Sequence, residues 1–500
     1  MKMLIRIHPS DNVAVALKPV GKGQQAVVDG MVVVADEFIE CAHKISVRNI
    51  RKGEAVIKYG YPIGIALCDI HPGQWVHTHN LATSLEGTLS YDYSQAVNEQ
   101  SSAFDSNKMS LHFQGYKRYN GLTGVRNEIW IIPTVACVNA TARTIAQKAA
   151  SDFRVAGIDG IHALTHPYGC SQLGSDLFLT QRILAGLVGH PNAGGVLVLS
   201  LGCENNNIEE FKKVLANWDP DRVRFLTAQD SSNEVEEGIE LVGKLVEFAS
   251  LSKREPVPIS ELRIGMKCGA SDAFSGITAN PLVGKISDIV IAGGGVSVLT
   301  EVPEMFGAES ILMNRARDQE TFERIVKMIN NFKEYFIRHE QPVYENPAPG
   351  NKTGGISTLE EKSLGCILKA GTGTVTDVLN CGDKIRTNGL NLLEGPGNDL
   401  ISATALAASG CQIILFTTGR GNPLGTCIPT IKVSSNSDLA KKKRMWIDFD
   451  AGKLLAGHNL ESLSQELLLF ILDVASGSAL TMNEVNNFRE IGIFKDGVIL

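Results

Sequence analysis

The feature that most constrains this chain is an alternation of apolar runs and helical segments that begins near residue 116. The runs EIWIIPTV, GIHALTH, GVLVLSLG and VRFLTAQD are each followed by a segment with helical periodicity. Parallel strands need crossover connections, usually helices, so four such units in series predict a parallel sheet covered by helices. Residues 116–256 are therefore predicted to form an α/β domain.

The chain on either side has a different pattern. Residues 1–93 contain short strand-like runs separated by Gly, Pro and Asp turns, which predict a small all-β domain. Residues 94–115 are polar and aperiodic, and they predict a linker. Residues 257–500 combine helical segments with buried-strand runs such as LRIGMKCG, DIVIAGGG, SVLTEVP and QIILFTTGRG, and they predict a second α/β domain with a mainly parallel sheet. The stretch 341–382 is loop-rich, and a loop of that length is usually functional.

Composition and charge exclude several classes of function. The net charge of −7 argues against a nucleic-acid-binding surface, and the basic run at 441–444 predicts a solvated helix face rather than a localisation or anion patch. The sequence contains no run of about 18 apolar residues, so no membrane span is predicted. Without an export signal, the ten scattered cysteines indicate reduced thiols and a cytoplasmic protein. A symmetric homo-oligomer, first of all a dimer, is the expectation for a soluble enzyme.

Polar and metal-binding side chains follow the predicted parallel strands. Ligands of open parallel sheets bind outside the carboxyl ends of the strands, so these side chains are candidate site residues. They include His166, Tyr168, Cys170, Gln172, Cys203, Glu204, Asn206, Cys268, Asp272, Glu301, Glu304 and Arg420. The turn EGPGND at 394–399 precedes a helix and is suited to hold an anion.

Several of these residues have two interpretations. Cys170, Cys203 and Cys268 are either small buried side chains or iron ligands. Their spacing matches no ferredoxin run, so an iron–sulfur cluster is the less expected of the iron sites. His166, which precedes a proline, either caps a turn or takes part in catalysis.

The stretch GQWVHTHN at 73–80 places two histidines one residue apart. Alternate residues of a strand share a face, so His77 and His79 are predicted to point the same way. Two imidazoles can chelate a metal, but a catalytic site needs a further ligand, here from another domain. The alternative is a hydrogen-bonding edge of the β-domain.

Long motifs throughout the chain resemble the altronate/galactarate dehydratase family. They include IKYGYPIGIALCDIHPGQWVHTHN, HPYGCSQLG, SLGCENN, TEVPEMFGAE, ENPAPGNKTGGISTLEEKSLGC, PGND and TTGRGNPLG. The resemblance implies an N-terminal SAF (β-clip) domain and a hydro-lyase that converts D-altronate to 2-dehydro-3-deoxy-D-gluconate in hexuronate catabolism. It also implies a need for Fe²⁺, with Mn²⁺ as a substitute. Galactarate or another sugar acid is the alternative substrate, and a non-catalytic sugar-acid-binding protein is the alternative class.

The chemistry that the resemblance implies suggests roles for the candidates. Dehydration beside a carboxylate requires a cation for the developing charge and groups that transfer protons. His and Cys suit Fe²⁺ better than Mg²⁺, so His77 and His79 are predicted ligands, joined by Cys170 or Glu204. His166 or Tyr168 is predicted to transfer protons. Lys352 and Arg420 are predicted to hold the carboxylate, and Arg126, Asn127, Asn280 and Asn398 to bind the polyol.

Overall fold

The computed structural model describes residues 2–94, 111–155, 157–215 and 217–498. Residues 2–94 form a small all-β unit, which we call the β-module. Its antiparallel strands have the orders β1-β2-β5-β8, β3-β4 and β6-β7-β9. Their bounds are β1 Leu4–Ile5, β2 Val13–Ala16, β3 Gln25–Val28, β4 Met31–Val34, β5 Lys44–Ser46, β6 Ala55–Lys58, β7 Tyr61–Ala66, β8 Trp75–Val76 and β9 Leu81–Ala82.

The segment predicted to be a linker, 94–115, lies mostly outside the described residues. From His112 onward, however, the chain forms strand β10 (His112–Lys117). This strand pairs with β11 (Thr123–Gly124) and with β16 (Glu255–Pro258), both antiparallel. The linker prediction is therefore wrong for its last residues, because pairing with a distant strand overrides a weak local pattern.

The second domain is built on a four-stranded parallel sheet of order β13-β12-β14-β15. Every residue of β14 is buried, as expected of a strand with helices on both faces. The predicted parallel, helix-covered sheet is confirmed. The bounds are β12 Glu128–Pro133, α1 Asn139–Asp152, β13 Gly160–Ala163, α2 Gly174–Val188, β14 Ala193–Ser200, α3 Ile208–Leu215, β15 Val223–Thr227 and α4 Glu234–Ser250.

The third domain holds a seven-stranded parallel sheet of order β19-β20-β18-β17-β21-β22-β23. Its strands are β17 Arg263–Cys268, β18 Val296–Leu299, β19 Val375–Leu379, β20 Gly389–Leu393, β21 Ile413–Thr418, β22 Thr430–Ser434 and β23 Phe449–Asp450. Its helices are α5 Ala279–Ala292, α6 Glu309–Met313, α7 Gln319–Arg338, α8 Pro349–Thr353, α9 Leu359–Cys366, α10 Asp399–Ser409, α11 Ser437–Lys442, α12 Leu460–Ser476 and α13 Met482–Val485. The chain runs from β17 to one side of the sheet and returns to β21 on the other, which creates a crevice at the carboxyl ends of the central strands.

Two predictions for the third domain are wrong. The run DIVIAGGG is not a strand but the end of α5, followed by glycines. Nine of the 14 residues of α5 are buried, so the helix lacks the polar face that gives a helical signature. The stretch 341–382 is not mainly loop, because it contains α8, α9, a 3-10 turn at Ile367–Ala370 and the whole of β19. All eight residues of α9 are buried.

The remaining surface predictions concern charge and membranes. The basic run at 441–444 lies at the end of α11, and three of its four residues are exposed. None of the helices within the described ranges has the length and apolar character needed to cross a membrane.

Candidate active site

Two thiols and one carboxylate meet at the carboxyl ends of β17 and β18. Cys268 ends β17, Glu304 ends the 3-10 turn after β18, and Cys366 ends α9. The sulfur of Cys268 lies 2.9 Å from Glu304 Oε2 and 3.3 Å from the sulfur of Cys366, which is 3.2 Å from the same carboxylate oxygen. Within the described ranges, this is the one group of three His, Cys, Asp or Glu donors within 4.8 Å of one another. We call it the thiol–carboxylate centre.

The turn after β18 aims two carboxylates at the end of β17. Glu301 adopts a left-handed backbone conformation, with φ of +73°, which costs about 1–3 kcal/mol for a residue other than glycine. Its carboxylate accepts hydrogen bonds from the Cys268 backbone N–H at 2.8 Å and from Lys267 Nζ at 2.9 Å. These bonds hold the strained turn against β17 and thereby fix Glu304 beside Cys268.

Two buried lysines contact the centre. Lys369 Nζ lies 2.8 Å from the Cys268 sulfur, and Lys362 Nζ lies 2.8 Å from Glu304 Oε1. Lys362, Cys366 and Lys369 follow one another at intervals of four and three residues, which places them on one face of α9 and the turn that extends it. The ammonium groups offset the negative charge of the thiolate and carboxylates.

The surroundings favour ionised Cys268 and Glu304, whereas the hydrogen bond with Cys268 and burial raise the pKa of Cys366 well above its usual range. The hydrogen bond from Cys366 lowers the pKa of Cys268 to about 6, and Lys369 acts in the same direction. Burial would raise the pKa of Glu304, but Lys362 and Lys369 outweigh it and bring the pKa to about 2. A thiolate is the form of cysteine that binds metals, so the centre is prepared to accept a cation.

A cavity of about 720 Å³ opens above the centre, and we call it the main cavity. Cys268 and Glu304 line it, together with most of the segment 343–352. Two predicted carboxylate-binding residues, Lys352 and Arg420, also lie on its wall. The turn at 394–399 contributes Gly397 and Asp399. The structure therefore brings part of the predicted site to one cavity.

Helix α9 also carries the contact with the β-module. Both carboxylate oxygens of Glu361 are occupied, one by Lys44 Nζ at 2.8 Å and the other by Lys58 Nζ at 2.7 Å. His77 Nδ1 lies 2.8 Å from the hydroxyl of Ser357, just before the helix. All these side chains are buried. The β-module thus packs directly against the helix that bears Cys366.

The predicted pairing of His77 and His79 on one strand face is wrong. Strand β8 ends at Val76, and the next four residues form a turn in which the Asn80 backbone N–H donates to the His77 carbonyl at 3.0 Å. His77 is buried and His79 is exposed, although both rings lie against Trp75, with centroids 5.2 Å and 4.9 Å away. Neither histidine belongs to the thiol–carboxylate centre.

The predicted residues of the second domain lie apart from the main cavity. His166 Nε2 lies 2.8 Å from the Pro133 carbonyl, and its Nδ1 accepts from the Tyr168 backbone N–H at 3.2 Å. Burial lowers the pKa of His166 to about 4, so the ring is neutral and closes a turn. Tyr168 is half-buried, and Cys170 is exposed.

The carboxylate of Glu204 is bound by neighbouring groups of the second domain. Its carboxylate accepts hydrogen bonds from two hydroxyls and two backbone N–H groups, with distances from 2.6 to 3.1 Å. Among the described residues, no hydrogen bond or ion pair joins Glu204 or Cys170 to His77 or His79. The predicted ligand set is therefore not assembled in one place.

The predicted polyol-binding residues have structural partners. Arg126 pairs with Glu484 of α13 at 2.6 Å, and the Asn127 amide donates to two backbone carbonyls. Asn398 caps α10 by accepting from a backbone N–H. Asn280 is the one that bears on the site, because its amide donates at 2.9 Å to the Gly365 carbonyl, one residue before Cys366.

Sequence reasoning missed Lys362, Cys366 and Lys369. They do not follow a strand, which was the criterion for candidates. The signal that identifies them is their helical spacing inside ISTLEEKSLGCILK. This motif lies within 341–382, the stretch predicted above to be functional.

A cavity with several charged side chains on its wall, above a buried centre of metal-type donors at the carboxyl ends of parallel strands, defines an enzyme site. Comparison with known protein families supports this conclusion, because a family match is found for each of the three domains. The altronate/galactarate dehydratase SAF domain matches residues 2–84, the second domain of D-galactarate dehydratase/altronate hydrolase matches 115–250, and the C-terminal domain of D-galactarate/altronate dehydratase matches 259–499. The chain belongs to the altronate/galactarate dehydratase family.

Individual relatives are similar over their whole length. The chain is 50% identical to altronate dehydratase of Escherichia coli (strain K12) over 497 residues, 99% of each chain. It is 51% identical to altronate dehydratase of Bacillus subtilis (strain 168) over 506 residues, 100% of each. Identity to galactarate dehydratase (L-threo-forming) of Escherichia coli (strain K12) is 30% over 512 residues, 96% of this chain and 94% of the relative.

Proposed function

We propose that this protein is a metal-dependent hydro-lyase that removes water from D-altronate and forms 2-dehydro-3-deoxy-D-gluconate in hexuronate catabolism. The observation that carries the proposal is the thiol–carboxylate centre on the wall of the main cavity. The substrate follows from the relatives, since identity to the two altronate dehydratases is 50% and 51%, against 30% to the galactarate enzyme.

The donor set of the centre fits Fe²⁺. Two sulfur ligands and one carboxylate suit a borderline cation better than Mg²⁺, and Mn²⁺, which prefers oxygen donors, is the weaker substitute. Three protein ligands leave coordination positions open, as in catalytic metal sites. When bound by Cys268, Glu304 and Cys366, the ion supplies a Lewis acid for substrate oxygens.

Residues of the main cavity bind the substrate and move its proton. Lys352 and Arg420 present cationic side chains on the wall, where they bind the substrate carboxylate. Asp399 is held by Lys267 Nζ at 2.5 Å and by the Asn422 amide at 2.6 Å, so its carboxylate is fixed at the cavity wall. We assign to Asp399 the removal of the C2 proton, because it lines the main cavity and each of its oxygens keeps a second lone pair. His166 lies outside that cavity, and the backbone occupies both of its ring nitrogens.

Loss of the C3 hydroxyl completes the reaction. Removal of the C2 proton places negative charge on an enediolate, and the ammonium of Lys362, which lines the main cavity, lies where it offsets that charge. The C3–O bond then breaks as the leaving hydroxyl takes up the proton that Asp399 removed from C2, so water leaves. The resulting enol loses its hydroxyl proton, gains a proton at C3 and becomes the 2-keto acid. Substrate and product balance as altronate on one side and keto acid plus water on the other.

The test is a metal titration with matched cysteine variants. Metal-free protein is supplied with Fe²⁺ or Mn²⁺ and assayed for 2-keto acid from altronate and from galactarate. We expect metal-dependent product from altronate, and loss of both iron binding and activity in Cys268→Ala and Cys366→Ala. Cys411→Ala is the control, because Cys411 is a buried thiol of the same domain outside the cavity. Binding of added Fe²⁺ without labile sulfide that survives in both site variants contradicts the ligand assignment. Altronate binding without product indicates a non-catalytic sugar-acid-binding protein.

We further propose a cytoplasmic homodimer. All ten cysteines are free thiols in the structure, as suits a reducing compartment, and closed symmetric dimers are the commonest assemblies. Size measurement in solution tests the dimer.

A further inference from the structure

Three exposed cysteines lie along one edge of the second domain. Cys137 is in the 3-10 turn after β12, Cys170 follows β13, and Cys203 follows β14. The sheet order β13-β12-β14 places the three strand exits side by side, with neighbouring strands about 4.8 Å apart. We call these residues the three-cysteine edge. It belongs to a different sheet from the thiol–carboxylate centre.

Hydrogen bonds join the loops that carry these cysteines. The Ala136 backbone N–H donates to the Tyr168 carbonyl at 2.9 Å, and the Asn206 N–H donates to the Gly169 carbonyl at 3.1 Å. Gly169 has a φ of +104°, and a Cβ there would overlap the Thr134 carbonyl. The close approach of the loops therefore requires glycine, and it holds the three thiols in a defined arrangement.

Buried amides with an unpartnered atom accompany each cysteine. Asn139 Oδ1, Gln172 Nε2 and Asn206 Oδ1 are buried and have no hydrogen-bond partner in the described part of the chain. They follow Cys137, Cys170 and Cys203 by two or three residues. Gln172 and Asn206 are almost fully buried, at 1% and 0% exposure. Buried polar atoms are nearly always paired, so the free Nε2 donor of Gln172 points to an acceptor group bound at this edge.

We propose that the three-cysteine edge binds an iron–sulfur cluster through Cys137, Cys170 and Cys203. A single tetrahedral ion with bonds of about 2.3 Å to sulfur requires ligand sulfurs about 4 Å apart. These three sulfurs do not all lie within 4.8 Å of one another, which argues against a single ion, and a cluster is the wider group that ligands from three neighbouring strand exits can share. Of the three unpartnered atoms, Gln172 Nε2 is a donor and supplies a hydrogen bond of the kind that tunes the sulfurs of such clusters, whereas Asn139 Oδ1 and Asn206 Oδ1 are acceptors and do not. Three irons of a cubane cluster would be bound by these cysteines, and among the described residues of this edge no fourth cysteine is present for the remaining iron.

The test measures iron and acid-labile sulfide in the full-length protein. The chain is purified without oxygen and reconstituted with Fe²⁺ and sulfide. A cubane cluster predicts about four labile sulfides per chain and broad visible absorption. We expect the Cys137→Ala/Cys170→Ala/Cys203→Ala variant to lose both signals. Because the replaced side chains are exposed, its circular dichroism spectrum and thermal midpoint are expected to match those of the wild type.

Two double variants serve as controls. Cys41→Ala/Cys68→Ala removes two other exposed thiols, both in the β-module, and is expected to keep the sulfide. Cys268→Ala/Cys366→Ala removes the thiols of the other centre and is also expected to keep it. Absence of labile sulfide from the wild type overturns the proposal. So does sulfide that persists in the triple variant, or a disulfide among the three thiols with no cluster. Loss of sulfide in Cys268→Ala/Cys366→Ala would place the cluster in the third domain and equally overturn it.

Discussion

Replacement of Glu361 by glutamine should destabilise the contact between the β-module and α9 more than replacement of either lysine that it binds. Glu361 is 1% exposed at its side chain, and Lys44 and Lys58 are equally buried. Glu361→Gln leaves two ammonium groups buried without a counter-charge. Lys44→Met leaves one lysine paired with one carboxylate, which is electrically neutral. Both substitutions keep the side-chain volume similar, so the two variants differ mainly in the charge that remains buried.

Two routes give the magnitude. Removing one partner of a buried ion pair costs about 3–5 kcal/mol. Burial would raise the pKa of Glu361, but Lys44 and Lys58 lower it to about 2. Against an unfolded value near 4.3, that shift corresponds to about 3 kcal/mol. Because the folded pKa is depressed, this stabilisation is complete above about pH 4.3 and is lost as the pH falls towards 2.

The assay is urea denaturation at pH 7.5, with limited proteolysis to detect release of the β-module. We expect Glu361→Gln to lose about 3 kcal/mol and Lys44→Met clearly less. The triple variant Glu361→Gln/Lys44→Met/Lys58→Met should recover part of the loss, because no charge remains buried. Equal stabilities of Glu361→Gln and Lys44→Met would refute the reasoning.

Three further predictions concern the cavity and the pH dependence of stability. Asp399→Asn should lower kcat about 10²–10⁴-fold with iron content unchanged; a kcat near the wild type removes Asp399 as the base. Lys352→Met and Arg420→Met should raise KM for altronate more than they lower kcat, and an unchanged KM in both contradicts their role with the carboxylate. Burial lowers the pKa of His166 to about 4 and of His190 to about 3, so their contribution to stability is complete above pH 6.5 and is lost below it. Each histidine should lower the free energy of unfolding by about 1.4 kcal/mol for each pH unit below 6.5. Urea denaturation at pH 6.5, 5.8 and 5.0 measures this loss, and equal midpoints at the three pH values contradict it.

The sequence was most informative where local pattern and global packing agree. The repeated strand–helix units of the second domain led to the correct parallel sheet, because β12 and β14 are buried strands with no competing interpretation. The same logic identified Arg420, since loops at the carboxyl ends of parallel strands face the crevice. Lys352, which lies in α8, was predicted instead from the family resemblance. It failed for α5, where an all-round apolar helix resembles a buried strand, and for His77 and His79, where the strand ends before the motif.

Cys366 could not be found by that logic, because its position depends on the tertiary packing of α9. Nothing near Cys366 in sequence indicates that it meets Cys268, which lies 98 residues earlier. Lys362 and Lys369 have helical spacing to Cys366, but helical spacing alone predicts only a shared face. The partner of that face is set by the sheet order.

Helix α9 explains why the β-module bears on chemistry in another domain. Successive residues of an α-helix point about 100° apart. Glu361 can therefore face the β-module while its neighbour Lys362 faces Glu304 and the main cavity. The ion pairs of Glu361 with Lys44 and Lys58 fix the rotation of α9 about its axis, and that rotation sets where Lys362 and Cys366 point. His77 strengthens the same contact through Ser357. On this argument the β-module contributes to the site by orienting α9, so a change at Glu361 should alter iron binding at Cys366 although Glu361 touches neither sulfur.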